Sequence, residues 1–123
     1  MNNQVVGVDS SELAPEDLAL LRESLHEQRV FRLEQLQEIG QSAPTRAHRA
    51  REQQAASQIE VHIKLTAYAR MVLADVEAAL ERMDRGRYGI CPRCTRPIPL
   101  RRLKIVPQAR YCARCQQLGE ARR

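Results

Sequence analysis

All four cysteines of the chain fall in two Cys-x-x-Cys pairs, Cys91 with Cys94 and Cys112 with Cys115. Two cysteines three positions apart can turn both sulfur atoms to one side of a tight turn, so each pair offers half of a tetrahedral zinc shell. The 17 residues from 95 to 111 that separate the pairs are enough for a short hairpin. We therefore predict that these four cysteines hold one structural Zn²⁺ ion.

Catalysis by the metal, disulfide bonds and redox activity are the other possible uses of the cysteines. A shell filled by four protein ligands has no open position for an activated water, which argues against catalysis by the metal. Two disulfides or redox-active cysteines are the alternatives, but no charged and then apolar stretch typical of a signal peptide opens the chain. The sequence has no nucleophile and base pair and no phosphate-binding loop. We expect a cytoplasmic zinc protein that is not an enzyme.

Large side chains are scarce in this chain. One Phe, three Tyr and no Trp stand among 123 residues, of which 43% are hydrophobic. Because Ala and Leu supply most of the apolar surface, helices packed side by side are favoured over a wide globular interior. No apolar run approaches the length of a membrane span, so we expect no membrane contact.

Charge is distributed unevenly along the chain. Residues 1–84 contain nine basic and fourteen acidic side chains, whereas residues 85–123 contain eleven basic side chains and one acidic one. The two parts therefore carry net charges of −5 and +10. A polyanion, or an acidic rim on a protein partner, is the expected neighbour of the basic part.

Two helices are predicted before the cysteine-rich part. The first begins near Pro15, carries an apolar stripe and ends at Gly40. Its stripe consists of Leu18, Leu21, Leu25, Leu33, Leu36 and Ile39. The second runs from about residue 45 to residue 85 with a seam of alternating four- and three-residue spacing, typical of a coiled coil. The seam consists of Ala55, Ile59, His62, Thr66, Ala69, Leu73, Val76, Leu80 and Met83.

A wider apolar face flanks this seam and predicts a second contact. Its members are Val61, Leu65, Tyr68, Val72 and Ala79. Two helices joined by a short loop run antiparallel. A turn near Ala43 would pair Leu25 with Val61 and Leu18 with Tyr68, and the rest of the second helix would be left for the finger and the N-terminal arm.

These elements together predict the fold class and the division of the chain. The fold is expected to be all-α, an antiparallel coiled-coil hairpin with a small C4 zinc-finger head and a short C-terminal helix. Residues 1–14 form an N-terminal arm, residues 15–85 the hairpin with its tip at about 41–51, and residues 86–123 the zinc finger and tail. A hairpin arm of about 25 residues would reach nearly 40 Å from the head.

The finger region resembles the C4 zinc finger of the DksA/TraR family. The resemblance is carried by the run from Leu80 to Cys91, by Ile98-Pro99 and Arg101-Arg102-Leu103, by Pro107, and by the run from Tyr111 to Gln116. It covers the last third of the chain in detail, and the preceding hairpin is similar in architecture.

This resemblance implies a regulator of bacterial transcription. Family members bind RNA polymerase without recognising a promoter sequence, pass a coiled coil through the secondary channel and alter initiation at selected promoters. We therefore expect a monomer that binds RNA polymerase and has weak or no direct affinity for nucleic acid. The alternative is a zinc protein that binds nucleic acid directly through its basic head. In either case Arg101, Arg102 and Arg114 are the candidate contacts of the head.

The tip of the hairpin departs from the family. Well-known members carry an Asp-x-x-Asp-x-Ala motif there, whereas no acidic residue lies between Glu38 and Glu52, and Ala47 and Ala50 stand in place of the aspartates. The candidate partner contacts at the tip are Thr45, Arg46, Ala47, Arg49, Ala50 and Arg51. Because arginines are repelled by a metal ion, we predict that the protein occupies the channel without the usual inhibition.

Overall fold

The structure, a computed structural model, describes residues 13–41 and 54–121 and is built of helices. The four helices are α1 Pro15–Gln41, α2 Gln54–Asp84, α3 Leu100–Ile105 and α4 Ala113–Ala121. The described residues form no strand; one isolated antiparallel bridge joins Ile90 and Pro97. The predicted fold class, a helical hairpin with a four-cysteine head and a short C-terminal helix, is confirmed.

Local sequence explains where the long helices begin and end. Helix α1 begins at Pro15, with Glu16 and Asp17 in the first turn, where negative charge is favourable to the helix dipole. After α2, Gly86 has a φ of 72° and donates to the carbonyl oxygen of Met83 at 3.1 Å. The next amide donates to the carbonyl oxygen of Arg82 at 2.8 Å, which completes a Schellman motif.

Two ion pairs show the register between α1 and α2. Arg22 pairs with Asp84 at 3.0 Å, and Arg29 pairs with Glu77 at 3.0 Å. In both pairs the residue numbers add to 106. Each residue of α1 therefore lies opposite the residue of α2 whose number brings the sum to about 106. The predicted pairings of Leu25 with Val61 and of Leu18 with Tyr68 are therefore wrong. These pairs are exposed and add little stability themselves.

The shift of register has a physical reason. The apolar spacing of each helix fixes which face is buried but leaves the sliding of one helix along the other undetermined. As a result, Leu25 packs in the cluster that contains Val76, Ala79 and Met83, and not opposite Val61 as predicted. The N-terminal half of α1 therefore covers the last turns of α2.

The predicted seam of α2 is confirmed, and its predicted flanking face is only partly correct. Every seam residue with a described side chain, from Ile59 to Met83, is buried or half-buried. On the flanking face, Val72 and Ala79 are buried, whereas Val61, Leu65 and Tyr68 are about half exposed, at 54%, 46% and 51%. A single partner helix covers only the narrow seam, so the wider face is buried only where the finger adds a second layer.

One continuous apolar core joins the hairpin to the finger. Leu21 and Leu25 of α1 and Val72, Val76, Ala79 and Met83 of α2 belong to the same cluster as the buried residues of the finger. The finger contributes Tyr88, Cys91, Ile98, Leu103, Ala109 and Cys115. The head is therefore packed onto the base of the hairpin and is not joined to it by a linker.

Two predicted segments fall wholly or largely outside the described residues: the N-terminal arm, of which residues 13 and 14 are described, and the tip residues 45–51. Within the described residues, no helix combines the length and the apolar character needed to cross a membrane.

Candidate metal centre

The structure brings the four cysteines together. Their sulfur atoms all lie within 4.8 Å of one another, and the sulfur atoms of Cys94 and Cys112 are 3.8 Å apart. Ligands about 2.3 Å from a tetrahedral zinc ion are separated by about 3.8 Å. A disulfide would bring two sulfur atoms to about 2.05 Å, and all four cysteines are free thiols. The disulfide alternative is therefore not supported.

The first pair sits on a tight turn between two backbone contacts. The amide of Cys91 donates to the carbonyl oxygen of Arg96 at 2.9 Å, and the amide of Thr95 donates back to Cys91 at 2.8 Å. Thr95 adopts a φ of 63°, a conformation that costs energy for a β-branched residue. The turn holds this conformation because its hydrogen bonds and the neighbouring Ile90 and Pro97 bridge fix both sides.

The second pair opens helix α4. Cys112 directly precedes the helix, and its sulfur accepts a hydrogen bond from the amide of Cys115 at 3.4 Å. The carbonyl oxygen of Cys112 accepts from the amide of Gln116 at 2.9 Å. The helix start therefore turns both sulfur atoms of this pair toward the first pair.

The electrostatics of the cluster suit a bound cation. Burial favours the neutral thiol of Cys91, but the backbone amides of Cys94, Cys112 and Arg93 outweigh burial and lower its pKa to about 6. Burial and hydrogen bonds from the neighbouring thiols raise the pKa of Cys115 to about 12. Four thiolates this close repel one another, and a divalent cation relieves this repulsion. The residues present fit Zn²⁺, which takes soft thiolate ligands in a closed shell.

Tyr88, at the start of the finger, contacts the segment between the two cysteine pairs. Its side chain is 4% exposed, and its hydroxyl donates to the carbonyl oxygen of Pro107 at 2.8 Å. Burial raises the pKa of this hydroxyl to about 12, with Arg82 opposing the shift. The hydroxyl therefore remains a neutral hydrogen-bond donor at physiological pH.

Replacing Tyr88 with Phe is expected to lower the free energy of unfolding by about 1 to 2 kcal/mol, because the buried carbonyl of Pro107 loses its partner. Tyr68→Phe is the matched control, since Tyr68 is half exposed and its hydroxyl has no hydrogen bond within the described ranges. Its effect is expected to stay within about 0.5 kcal/mol. Urea denaturation followed by circular dichroism measures both, and equal changes in the two variants would contradict this role.

The predicted head arginines lie on one surface. Arg101, Arg102 and Arg114 all line a surface cavity of about 460 Å³ together with Ile105, which is 80% exposed. Arg102 also donates from Nε to the carbonyl oxygen of Tyr111 at 3.2 Å. An apolar side chain surrounded by guanidinium groups can contact a protein surface that presents acidic residues.

Sequence reasoning missed the residues that form the finger's own core. Ile98 and Leu103 are 4% and 0% exposed. The signal was present, because seven of the 17 residues between the cysteine pairs are hydrophobic. Their burial shows that the finger has an apolar centre in addition to its sulfur cluster.

A helical hairpin with a four-cysteine finger at its base defines the class of protein. Residues 86–120 match the family model of the prokaryotic dksA/traR C4-type zinc finger. The finger of this chain is therefore of the DksA/TraR type.

Comparison of structures extends the likeness to the whole fold. The structure of transcription factor DksA2 from Pseudomonas aeruginosa is similar with a TM-score of 0.74, and the match covers 94% of this chain and 92% of that one. The two sequences are 24% identical, so this comparison establishes the fold.

Curated relatives are similar over a shorter region. An uncharacterized protein of Aquifex aeolicus is 47% identical over 45 residues, which are 37% of this chain and 31% of that protein. The RNA polymerase-binding transcription factor DksA of Haemophilus influenzae is 36% identical over 53 residues, 43% of this chain and 37% of that protein. General stress protein 16O of Bacillus subtilis is 40% identical over 47 residues, 38% and 29% of the two chains. The matches span about a third of each relative.

Proposed function

We propose that this protein regulates bacterial transcription by binding RNA polymerase at the secondary channel through its helical hairpin. It modulates initiation there without recognising a DNA sequence. The observation that carries this proposal is the 36% identity to the RNA polymerase-binding transcription factor DksA, on a fold that DksA2 shares. Its role is regulatory and not enzymatic, and its place of action is the cytoplasm.

The hairpin presents a surface suited to a protein partner. Large apolar side chains remain exposed on both helices, among them Leu20, Phe31 and Val61 at 62%, 57% and 54%. Apolar side chains that recur along an exposed helical surface favour a protein interface. These side chains support the proposal that the helix faces supply part of the contact with the polymerase.

The metal is proposed to be structural. One Zn²⁺ held by Cys91, Cys94, Cys112 and Cys115 would fill its coordination shell with protein atoms. Cys91 and Cys115 are also members of the apolar core that joins finger and hairpin. The ion would therefore fix the finger on the hairpin, and it would have no place for a substrate.

The head and the tip are proposed as two separate contacts. Arg101, Arg102 and Arg114 meet an acidic surface of the polymerase, and the tip residues from Thr45 to Arg51 extend toward the active site. The proposed division of the chain is an N-terminal arm at residues 1–14, a hairpin at residues 15–85 and a finger at residues 86–123. The protein acts as a monomer, because one hairpin fills one channel.

Binding to purified polymerase tests the proposal. We expect a one-to-one complex with the polymerase core and much weaker DNA binding, with a Kd of about 10⁻⁴ to 10⁻⁶ M at physiological salt. The double variant Arg101→Gln with Arg114→Gln is expected to weaken the polymerase complex about tenfold, because two exposed cations are lost from one surface. The matched control, Arg87→Gln with Arg110→Gln, removes the same charge from another surface and is expected to leave the affinity unchanged.

The same assay decides against the alternative. Sub-micromolar DNA binding at physiological salt together with no polymerase binding would replace this proposal with direct nucleic-acid binding. The tip is tested by in vitro transcription with Ala47→Asp and Ala50→Asp combined, which is expected to confer or strengthen inhibition. If the wild-type protein already inhibits fully and the two substitutions change nothing, the charge of the tip has no role.

A further inference from the structure

The part of the hairpin remote from the head presents an apolar face to solvent. Val61, Leu65, Tyr68 and Met71 follow one another along α2 at intervals of four, three and three residues. Such intervals place side chains on one face of a helix. Each of the four side chains is about half exposed, so the face is available to a partner.

Helix α1 contributes a second aromatic ring to this face. The guanidinium group of Arg32 lies 5.2 Å from the ring centre of Phe31 and 5.2 Å from the ring centre of Tyr68. Both rings therefore lie on the same side of the hairpin, and both are about half exposed. The same guanidinium donates to Oε1 of Gln35 at 2.8 Å, which holds it in place. Rings that are already held in position lose little freedom on binding, which favours an interface here.

The edge of the apolar face carries one acidic and one basic residue. Glu60 and Lys64 directly precede Val61 and Leu65, lie about one helical turn apart and are exposed. Neither forms an ion pair within the described ranges of the chain. A two-fold axis passing between them would place Glu60 of each copy opposite Lys64 of the other, giving two ion pairs. The edge is therefore complementary to itself.

Charge also decides against other occupants and another orientation. Nucleic acid is disfavoured, because residues 1–84 carry a net charge of −5. A strongly acidic or strongly basic partner would repel one of the two edge charges. Two copies packed in parallel would bring together two heads, each with a net charge of +10 over residues 85–123. In an antiparallel pair each head lies about 30 Å from the axis, so the two heads are separated by several Debye lengths.

We propose that the free protein forms an antiparallel homodimer through this face, with the two-fold axis near residue 62. Burial of the apolar side chains stabilises the pair, and the two ion pairs fix its register. The dimer covers hairpin surface that the proposed function assigns to the polymerase, so the dissociated copy is the one that binds. Self-association thereby limits the amount of binding-competent protein as its concentration rises. The dimer itself does not depend on the proposed function, whereas this regulatory effect does.

Analytical ultracentrifugation of the zinc-loaded full chain over a range of concentrations tests the inference. We expect a monomer–dimer equilibrium. Glu60→Lys and Lys64→Glu are each expected to raise the Kd of the dimer at least about tenfold, because like charges then meet on both sides of the axis. An equimolar mixture of the two variants is expected to regain the wild-type Kd, because every contact between the two different chains again joins opposite charges. A change in the fold of either chain cannot produce this recovery.

The apolar part of the contact is tested with a matched pair of leucines. Leu65→Ser is expected to raise the Kd of the dimer at least about tenfold, because apolar surface is lost beside the axis. Leu20→Ser is the control, since Leu20 is also exposed but lies near the head, and its Kd is expected to stay unchanged. Circular dichroism and zinc content check the fold of each variant.

Three results would each overturn the inference. They are a single monomeric species at every concentration, an unchanged Kd in Glu60→Lys, and a mixture of the two charge variants that remains monomeric. Small-angle X-ray scattering tests the orientation, since heads at opposite ends give a dimer with a much larger maximum dimension than the monomer. The measured quantity is the mass of the free protein, so failure of the dimer and failure of the polymerase complex are separate results.

Discussion

Removal of zinc is expected to unfold the finger and to weaken the base of the hairpin. Binding of a structural zinc ion contributes about 10 kcal/mol to the folding of small zinc domains, and this free energy is lost with the ion. Because Cys91 and Cys115 lie in the same core as Leu25 and Val76, loss of the finger exposes the apolar surface of the last turns of α2. We expect most of the helical signal to remain, with a lower melting temperature.

A strong chelator and Cys91→Ser are two routes to the zinc-free state. Circular dichroism follows the helices, and tertiary NMR signals of Tyr88 and Leu103 follow the finger. Return of the signals on adding Zn²⁺ is the control for irreversible damage after chelation. Signals of the head that persist after verified zinc removal would show that the ion is not required for folding.

Replacing Leu25 with Ala is expected to lower the free energy of unfolding by about 2 to 5 kcal/mol, because Leu25 is completely buried and its loss leaves a cavity. Leu20→Ala provides the matched control on the same helix. Leu20 is 62% exposed, and its replacement is expected to change stability by less than about 0.5 kcal/mol. Urea denaturation with a constant m-value measures the difference.

This pair of variants also tests the register of the hairpin. In the structure, Leu25 lies in the cluster with Val76 and Met83, and therefore next to the finger. Leu25→Ala should consequently perturb NMR signals of Tyr88 as well as those of the hairpin. Perturbation centred on Val61 instead would favour the register expected from a turn near Ala43.

The sequence predicted most of the architecture and the four cysteines that come together in the finger. Cysteine spacing is local, so the turn that directs both sulfur atoms to one side is specified by a few residues. The seam of α2 was predicted for a similar reason, since a periodic pattern fixes one face of a helix. Pro15 likewise marked the start of α1.

The register and the interface between hairpin and finger could not be predicted in the same way. Sliding one helix by two turns preserves its apolar face, and the choice depends on long-range packing of Leu21 and Leu25 against residues more than 45 positions away. The sequence analysis also did not predict the surface cavity lined by Arg82, Arg85, Arg87 and Arg110. Arg82 and Arg110 are separated by 27 residues, and only the folded finger brings them to one surface.

The continuous core between the finger and α2 fixes the distance from the head to the far end of that helix. Helix α2 contains 31 residues, which span about 46 Å at 1.5 Å per residue. Because the finger packs against the last turns of this helix, the span from the arginines of the head to the first residue of α2 is set by helix length. A seven-residue change would preserve the seam and alter this span by about 10 Å. The length of the helix can therefore change without a change in its apolar pattern. A chain of this kind can vary the distance between its head and the first residue of α2 while the surface of the head remains the same.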